Sequence, residues 1–305
     1  MKKILVILGQ TAVGKSQIAF ELAQKLNAEI ISADSMKVYK YMDIGTSKPS
    51  LEQKEKVFYH FIDIILPNQK YSAAQFEKEA KIKIEEIEKK EKSVIVEGGT
   101  GLYIKALTQG LFIGPAADFE IRKKLLYQKE KNGQDFLYQK LKEIDPIASS
   151  KIHPNDLYRI IRALEVYEIS KKPISEWQLQ GNYHKSNYEF ELIGLLRKKE
   201  NLYKRIENRV DEMIEQGLVD EVKKLMELEY LENFVSIQGL GYKEIIGYLK
   251  NIYNLEESID LIKHNTKLFA KRQLTWFKKD KKIKWVEIDN INDFEIIEKI
   301  EEMLK

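Results

Sequence analysis

Lys3-Ile-Leu-Val-Ile-Leu8 runs directly into Gly9-Gln-Thr-Ala-Val-Gly14-Lys15-Ser16, and the order of these two pieces decides the fold. The first is an unbroken Ile/Leu/Val run, the pattern of a strand buried on both faces of a parallel sheet. The second matches G-x-x-x-x-G-K-[ST] at every fixed position. Ser16 to Leu26 follows with Ala19, Leu22, Ala23 and Leu26 at helical spacing. Strand, glycine loop, helix is the context in which this motif holds phosphate. The glycines let the backbone curl with its amides inward, and the helix N-terminus adds partial positive charge. Lys15 brings a point charge to the outer phosphate, and the Ser16 hydroxyl can ligate Mg2+. The phosphate-binding candidates are therefore Gly9, Gln10, Thr11, Ala12, Val13, Gly14, Lys15 and Ser16, with Ser16 the metal ligand. The loop specifies phosphate or diphosphate without saying whether it belongs to ATP, and no N-K-x-D tetrapeptide for guanine occurs.

Outward from this motif, Ala28 to Ala33 reads as a second strand, which sets Asp34 just past its carboxyl end, where open α/β sheets bind ligands. Tyr71 to Lys90 reads as an amphipathic helix that Ser72 can cap, with Phe76, Ala80, Ile84 and Ile87 on one face. Ser93 to Val96 is a third buried strand, ended by Glu97-Gly98-Gly99-Thr100-Gly101. Asp34 and Glu97 thus both occupy strand-end places suited to an acid that serves Mg2+. Strand–helix alternation predicts an α/β fold, a P-loop NTPase-like doubly wound parallel sheet. After Gly110 the texture turns helical, with Asp118 as a cap, until Tyr188 to Leu196 restores a strand; Lys284 to Ile288 can add a short last one. The organisation expected is a core over 1–115, a helical insertion domain over 116–186, and a second core part over 187–305 with basic C-terminal helices.

With 305 residues, 43% hydrophobic and a net charge of +3, the chain has enough apolar content for a sizeable core and too little net charge for disorder. It has no cysteine, which excludes disulfides, thiolate nucleophiles and cysteine-based metal sites. Its four histidines show no metal-binding spacing. No apolar run reaches the roughly 18 residues a membrane span needs, so a cytoplasmic protein is expected. The near-neutral total hides one strongly basic stretch: Lys263 to Lys284 carries nine Lys/Arg against one Asp, 9 − 1 = +8. On a helix Lys267, Lys271, Thr275 and Lys278 share one side, while Phe269, Gln273 and Trp276 share another. That suits a helix packed on the body with nucleic-acid phosphates outside.

The segment Asp34-Ser35-Met36-Lys37-Val38-Tyr39 through Asp43-Ile44-Gly45-Thr46-Ser47-Lys48-Pro49, with the phosphate loop, resembles the tRNA dimethylallyltransferases, also called tRNA isopentenyltransferases. The likeness continues through Gly98-Gly99-Thr100-Gly101-Leu102-Tyr103, Pro115-Ala116-Ala117-Asp118, His153-Pro154-Asn155-Asp156, Arg159 to Val166, Gly239-Leu240-Gly241-Tyr242-Lys243 and Lys271 to Trp276. Departures are small: Gln10 stands where proline is frequent in the family, and Val13 where serine is common. No zinc finger is present, which suits a bacterial form.

The resemblance implies that the loop holds the diphosphate of dimethylallyl diphosphate with Mg2+. The acceptor it implies is N6 of adenosine-37, immediately 3′ of the anticodon, in tRNAs reading U-initial codons. An exocyclic adenine amine is a poor nucleophile, so a carboxylate that takes its proton helps by on the order of 10²–10⁴-fold. Asp34 is the candidate base. Two other roles stay open for it: supporting Mg2+ from outside its ligand sphere, or orienting N6. Lys15 would stabilise the leaving group. The resemblance puts Thr100 and Arg122 against the tRNA near the reacting centre, and so groups Asp34, Thr100, Arg122 and Lys15 as catalytic. It puts the anticodon stem-loop against Asp34, Ser35, Met36 and Lys37; against Tyr158, Arg159, Ile160, Ile161 and Arg162; against Gln238, Gly239, Leu240, Gly241, Tyr242 and Lys243; and against Lys271, Arg272, Gln273, Leu274, Thr275, Trp276, Phe277 and Lys278. A monomer is expected, since no coiled-coil heptads occur. The rival readings are an adenylate isopentenyltransferase, an ATP-dependent small-molecule P-loop kinase, and a non-catalytic RNA-binding protein.

Overall fold

The computed structural model describes residues 3–112, 114–133, 135–179, 188–228, 230 and 239–304. It divides into two compact units, Met1–Thr108 with Ser186–Lys305, and Gln109–Lys185. The first unit opens with β1 (Lys3–Gly9), α1 (Lys15–Lys25), β2 (Ala28–Ser32), α2 (Leu51–Lys56), β3 (Tyr59–His60), α3 (Ala73–Lys89), β4 (Ser93–Gly98) and α4 (Gly101–Gln109). The second holds α5 (Phe119–Asn132), α6 (Phe136–Ile144), α7 (Pro146–Ser149), α8 (Leu157–Ser170) and α9 (Ile174–Leu179). The chain returns to the first with β5 (Glu189–Leu196), α10 (Lys199–Glu215), α11 (Leu218–Glu227), α12 (Tyr242–Leu249), α13 (Leu255–Phe277), β6 (Lys284–Glu287) and α14 (Asp293–Leu304).

Six parallel strands form one sheet in the order β3-β2-β4-β1-β5-β6. Strand period sorts β1 between two cores: Ile4, Val6 and Leu8 face the layer that holds Phe76 and Ile84 of α3, and Leu5 and Ile7 face the layer of α1 and α14. Burial on both faces is why this strand carries no polar alternation. Phe76, Ala80, Ile84 and Ile87 of α3 are all fully buried, and Ser72 caps that helix by accepting the Gln75 amide. Leu26 departs from its helical spacing: it is the C-cap of α1, where the helix has ended, and is 36% exposed. Two-residue β3 and helix α14 were not foreseen.

The second unit has its own small core around Leu125, Leu137, Leu141, Ile160 and Leu164. Asp118 caps α5 by accepting the Ile121 amide. Among the described residues no helix is long and apolar enough to cross a membrane.

Parallel pairing brings the strands' carboxyl ends to one edge. Leu8 stands opposite Gly98, and Ser32 opposite Glu97. The phosphate loop, Asp34 and the Glu97–Thr100 turn therefore meet there by topology alone.

Candidate active site

The phosphate loop leaves β1 through Gly9 and enters α1 at Gly14, which caps the helix in the left-handed region (φ 112°) without a side-chain bond. The first amides of α1 are thus left for an anion. Three arginines grip the loop from outside. Arg197, just after β5, donates to the Val13 carbonyl (2.8 Å), Arg205 of α10 to the Ala12 carbonyl (3.0 Å), and Arg209 to Thr11 Oγ1 (3.2 Å). Because C=O and N–H of one peptide point in opposite directions, holding the Val13 carbonyl fixes the Gly14 N–H on the other side. Gln10 and Gln273 tie the loop to α13. Gln10 Nε2 donates to the Ala270 carbonyl (2.9 Å), and Gln273 Oε1 accepts the Thr11 amide (2.8 Å).

Lys15 is buried and donates to the Gln10 carbonyl (3.3 Å). Burial pushes its pKa down, against the pull of Glu97 and Asp34. Ser16 Oγ donates to Glu97 Oε1 (2.8 Å), and Glu97 is 3% exposed. Burial pushes the Glu97 carboxyl up, but Lys37, Lys15 and the Ser16 hydroxyl outweigh it and hold it below the usual range. Lys37 Nζ lies 3.5 Å from both Ser16 Oγ and Glu97 Oε2. Half-buried Arg209 completes the cluster, its pKa lowered by burial against Asp34 and Glu97.

Asp34 Oδ1 accepts the Met36 amide (2.8 Å), which fixes the carboxylate by its own loop and leaves Oδ2 for an incoming group. Thr100 Oγ1 accepts the Ser35 amide (2.9 Å) and donates to Ser35 Oγ (3.2 Å), clipping the β4 turn to the Asp34 loop. That clip needs Gly98: a Cβ there would lie 2.1 Å from the Ala33 carbonyl oxygen. Lys15, Asp34, Thr100 and Arg209 line one pocket of about 300 Å3, whose apolar walls include Met36, Ile206, Val210, Met213, Ile262 and Phe269. On the other side of Lys15 and Arg209 opens a cleft of about 1080 Å3, rimmed by Ser16, Lys40, Lys48, Lys54 and Arg205.

The remaining candidates divide by exposure. Lys271, Arg272, Thr275, Trp276 and Lys278 are exposed along α13, and Lys243 is exposed on α12. Trp276 lies over Gly101, where a Cβ would come within 2.4 Å of the indole. Gln273, Phe277, Tyr242, Gly239 and Gly241 are buried, and Leu240 and Leu274 are half-buried. Gln238 lies outside the described residues. In the second unit Tyr158 and Arg159 are exposed, while Ile160 and Ile161 belong to the core. Arg122 is not a loose surface charge. It pairs with Glu165 through Nε (2.7 Å) and Nη2 (3.0 Å), and its guanidinium sits 5.8 Å from the Tyr158 ring centre. Arg162 joins the same carboxylate (2.6 Å) and donates to the Pro115 carbonyl (2.8 Å).

Sequence reasoning missed Arg197, Arg205 and Arg209, which lie almost 200 residues from the loop they hold, in no motif. Glu165, which sequence spacing offers only as a surface ion-pair partner of Arg162, is instead fully buried between two arginines and the Asp118 amide. The only signal was a glutamate on an otherwise apolar helix face.

A parallel sheet whose phosphate loop opens onto a carboxylate-bearing, partly apolar pocket defines a P-loop group-transfer protein. The family model described as IPP transferase matches residues 37–280. The tRNA dimethylallyltransferase of Acetivibrio thermocellus is 47% identical over 306 residues, covering 100% of this chain and 97% of its own. That of Carboxydothermus hydrogenoformans is 49% identical, covering 98% and 96%. Among solved structures, the full-length tRNA isopentenylpyrophosphate transferase of Bacillus halodurans superposes with a TM-score of 0.74 at 38% identity, over 100% of this chain and 96% of that one. A eukaryotic dimethylallyltransferase acting on tRNA gives 0.78 at 33% identity, over 94% and 74%. The chain belongs to the IPP transferase family.

Proposed function

We propose that this chain transfers a dimethylallyl group from dimethylallyl diphosphate to N6 of adenosine-37, next to the anticodon of tRNA, in the cytoplasm where tRNA is found. One observation carries the reading. The phosphate loop and Asp34 share a pocket through Lys15, and that pocket has apolar walls on which a five-carbon chain can rest. A kinase would leave the exposed basic side of α13 unexplained.

In this reading the loop amides, Lys15 and Arg209 hold the diphosphate. N6 attacks the allylic C1, the C1–O bond breaks, and its electron pair leaves with the diphosphate. Fixed donors are worth most where that charge develops. Asp34 takes the N6 proton on the oxygen that the Met36 amide does not occupy. Thr100 keeps the Asp34 loop in register with the β4 turn. The adenine must leave its stack, which a single-stranded loop permits at low cost.

The donor set fits Mg2+. Ser16 Oγ donates to Glu97 and accepts from Lys37 (3.5 Å), which leaves it one lone pair for a hard cation. Mg2+ usually takes one or two protein oxygens, with water and substrate phosphate for the rest. Among the described residues no cluster of three His, Asp or Glu offers an all-protein cage. When bound at Ser16, the ion would supply positive charge to the leaving diphosphate.

The test is product mass. The protein is incubated with dimethylallyl diphosphate, Mg2+ and either unmodified tRNA or AMP. A gain of one dimethylallyl group on tRNA alone, mapped to adenosine-37, is expected. A gain on AMP alone, or ATP turnover without an RNA product, would refute the reading.

A further inference from the structure

We propose that Lys37 is a built-in cation of the diphosphate site, so that this chain grips diphosphate with a reduced need for divalent metal. The inference rests on the diphosphate reading given above. The resemblance alone placed Lys37 against RNA, yet its side chain is 7% exposed and its ammonium lies 3.5 Å from both Ser16 Oγ and Glu97 Oε2. Its backbone is fixed as well, since its carbonyl accepts the Asp63 amide (3.1 Å). An ammonium held there offers little charge to an incoming RNA strand and much to a ligand on the phosphate loop.

The sign of the site depends on it. Lys15 and Arg209 each lie within electrostatic reach of Asp34 and Glu97, and the four charges balance, 2 − 2 = 0; Arg205 and Glu212, which also reach Arg209, cancel each other. Lys37 makes the cluster 3 − 2 = +1 before any metal arrives. Glu97 would otherwise stand as a buried anion beside an anionic ligand, at the cost of like-charge repulsion in a poorly solvated place. Lys37 also opposes the metal. A cation ligated by Ser16 Oγ would sit about 2.1 Å from that oxygen, facing an ammonium close to the same atom. Lys37 therefore strengthens metal-free diphosphate binding and weakens metal binding.

These opposite signs make the test. Inorganic diphosphate is titrated into the full chain by calorimetry, in EDTA and in saturating Mg2+. Mn2+ affinity in the diphosphate complex is read by electron paramagnetic resonance. In Lys37→Met the metal-free affinity should fall about tenfold or more, the loss of one charge-assisted contact. The gap should shrink to about threefold or less in Mg2+, while Mn2+ binds more tightly. Lys37→Arg should keep the wild-type pattern. Lys37→Gln, which keeps a donor without charge, should follow Lys37→Met. Equal metal dependence in wild type and Lys37→Met, or wild-type behaviour of Lys37→Gln, overturns the proposal. So does loss of anticodon stem-loop affinity with diphosphate binding unchanged, which would return Lys37 to the RNA. Failure of the wild type to bind diphosphate in either condition would instead overturn the reading beneath, and this inference with it.

Discussion

Replacing Gln273 tests whether the basic helix α13 is a structural part of the phosphate loop. Gln273 is 7% exposed; its Oε1 accepts the Thr11 amide (2.8 Å) and its Nε2 donates to the Gly99 carbonyl (2.9 Å). One side chain thus joins the turns after β1 and β4 to α13. Gln273→Met keeps the length and removes both bonds. The part-buried Thr11 amide and the buried Gly99 carbonyl then lose their partners, at about 1–3 kcal/mol for the carbonyl and less for the amide. The expected loss is about 2–5 kcal/mol, toward the lower end if water enters from the neighbouring pocket. Gln273→Glu keeps the acceptor for Thr11 but sets a carboxylate oxygen against the Gly99 carbonyl, so it should be no milder. Urea unfolding midpoints give the stability, and calorimetry with inorganic diphosphate gives the cradle's affinity. Diphosphate affinity should fall about tenfold as the loop slackens, about 1.4 kcal/mol. Anticodon stem-loop affinity should change less, because the side chain is buried. Stability and diphosphate affinity both unchanged in Gln273→Met, or a loss confined to RNA binding, would refute the reasoning.

Asp34→Asn should cut single-turnover prenyl transfer by about 10²–10⁴-fold while diphosphate affinity stays within about twofold, as calorimetry can check; a collapse of affinity and of its Mg2+ dependence would assign Asp34 to the metal. Glu165→Gln should destabilise the helical unit by on the order of 3 kcal/mol, the lower end for a broken buried pair, because Arg122 and Arg162 keep about a quarter of their side-chain surface in water. The same residue sets an acid limb. Burial would raise the Glu165 carboxyl, but the bonds from Arg122, Arg162 and the Asp118 amide prevail and hold it below its ordinary value. Its stabilisation is therefore complete above the unfolded value of about 4.3 and is lost as pH falls through the lower folded value. Circular dichroism melts from pH 6 to 3 should show this slope in the wild type and a flatter one in Glu165→Gln. Lys271→Ala and Lys278→Ala should each lower the slope of log affinity against log salt for the anticodon stem-loop by about 0.7; an unchanged slope would remove these residues from the RNA.

Much of the sheet was legible because its strands are buried on both faces. The runs at Lys3, Ala28, Ser93 and Tyr188 each gave an observed strand within two residues, and Ser72 and Asp118 cap the helices they preceded. Two-residue β3 left no pattern to read, since alternation needs more residues than it has. The phosphate loop was legible as a local motif. The groups that shape it were not: Arg197, just after β5, and Arg205 and Arg209, on amphipathic α10, act through tertiary hydrogen bonds, and arginines in such places read as solvated charge. Gln273 did leave a signal, a polar side chain on the apolar side of α13 between Phe269 and Trp276. Helical spacing marked its face, and only the fold says that the face meets the loop rather than a core.

Two strand-end acids looked equivalent in the sequence, and their surroundings separate them. Glu97 is almost fully buried, accepts a hydrogen bond from the Ser16 hydroxyl and stands against Lys37 and Lys15, which hold its carboxyl in the charged form. An acid so committed cannot collect a proton from a substrate without breaking the contacts that order the phosphate loop. Asp34 is half-buried, held on one oxygen by a neighbouring amide, and lines the pocket. A proton added there breaks no hydrogen bond of the phosphate loop. The same edge of the sheet can therefore carry both duties. The acid on β4 sustains the charge balance around the diphosphate, and the acid after β2 is left to follow the proton. Exchanging them by Asp34→Asn and Glu97→Gln should separate the effects: the first lowers turnover with diphosphate affinity kept, and the second alters affinity and metal dependence first. If both variants lost turnover alone, this division would be wrong.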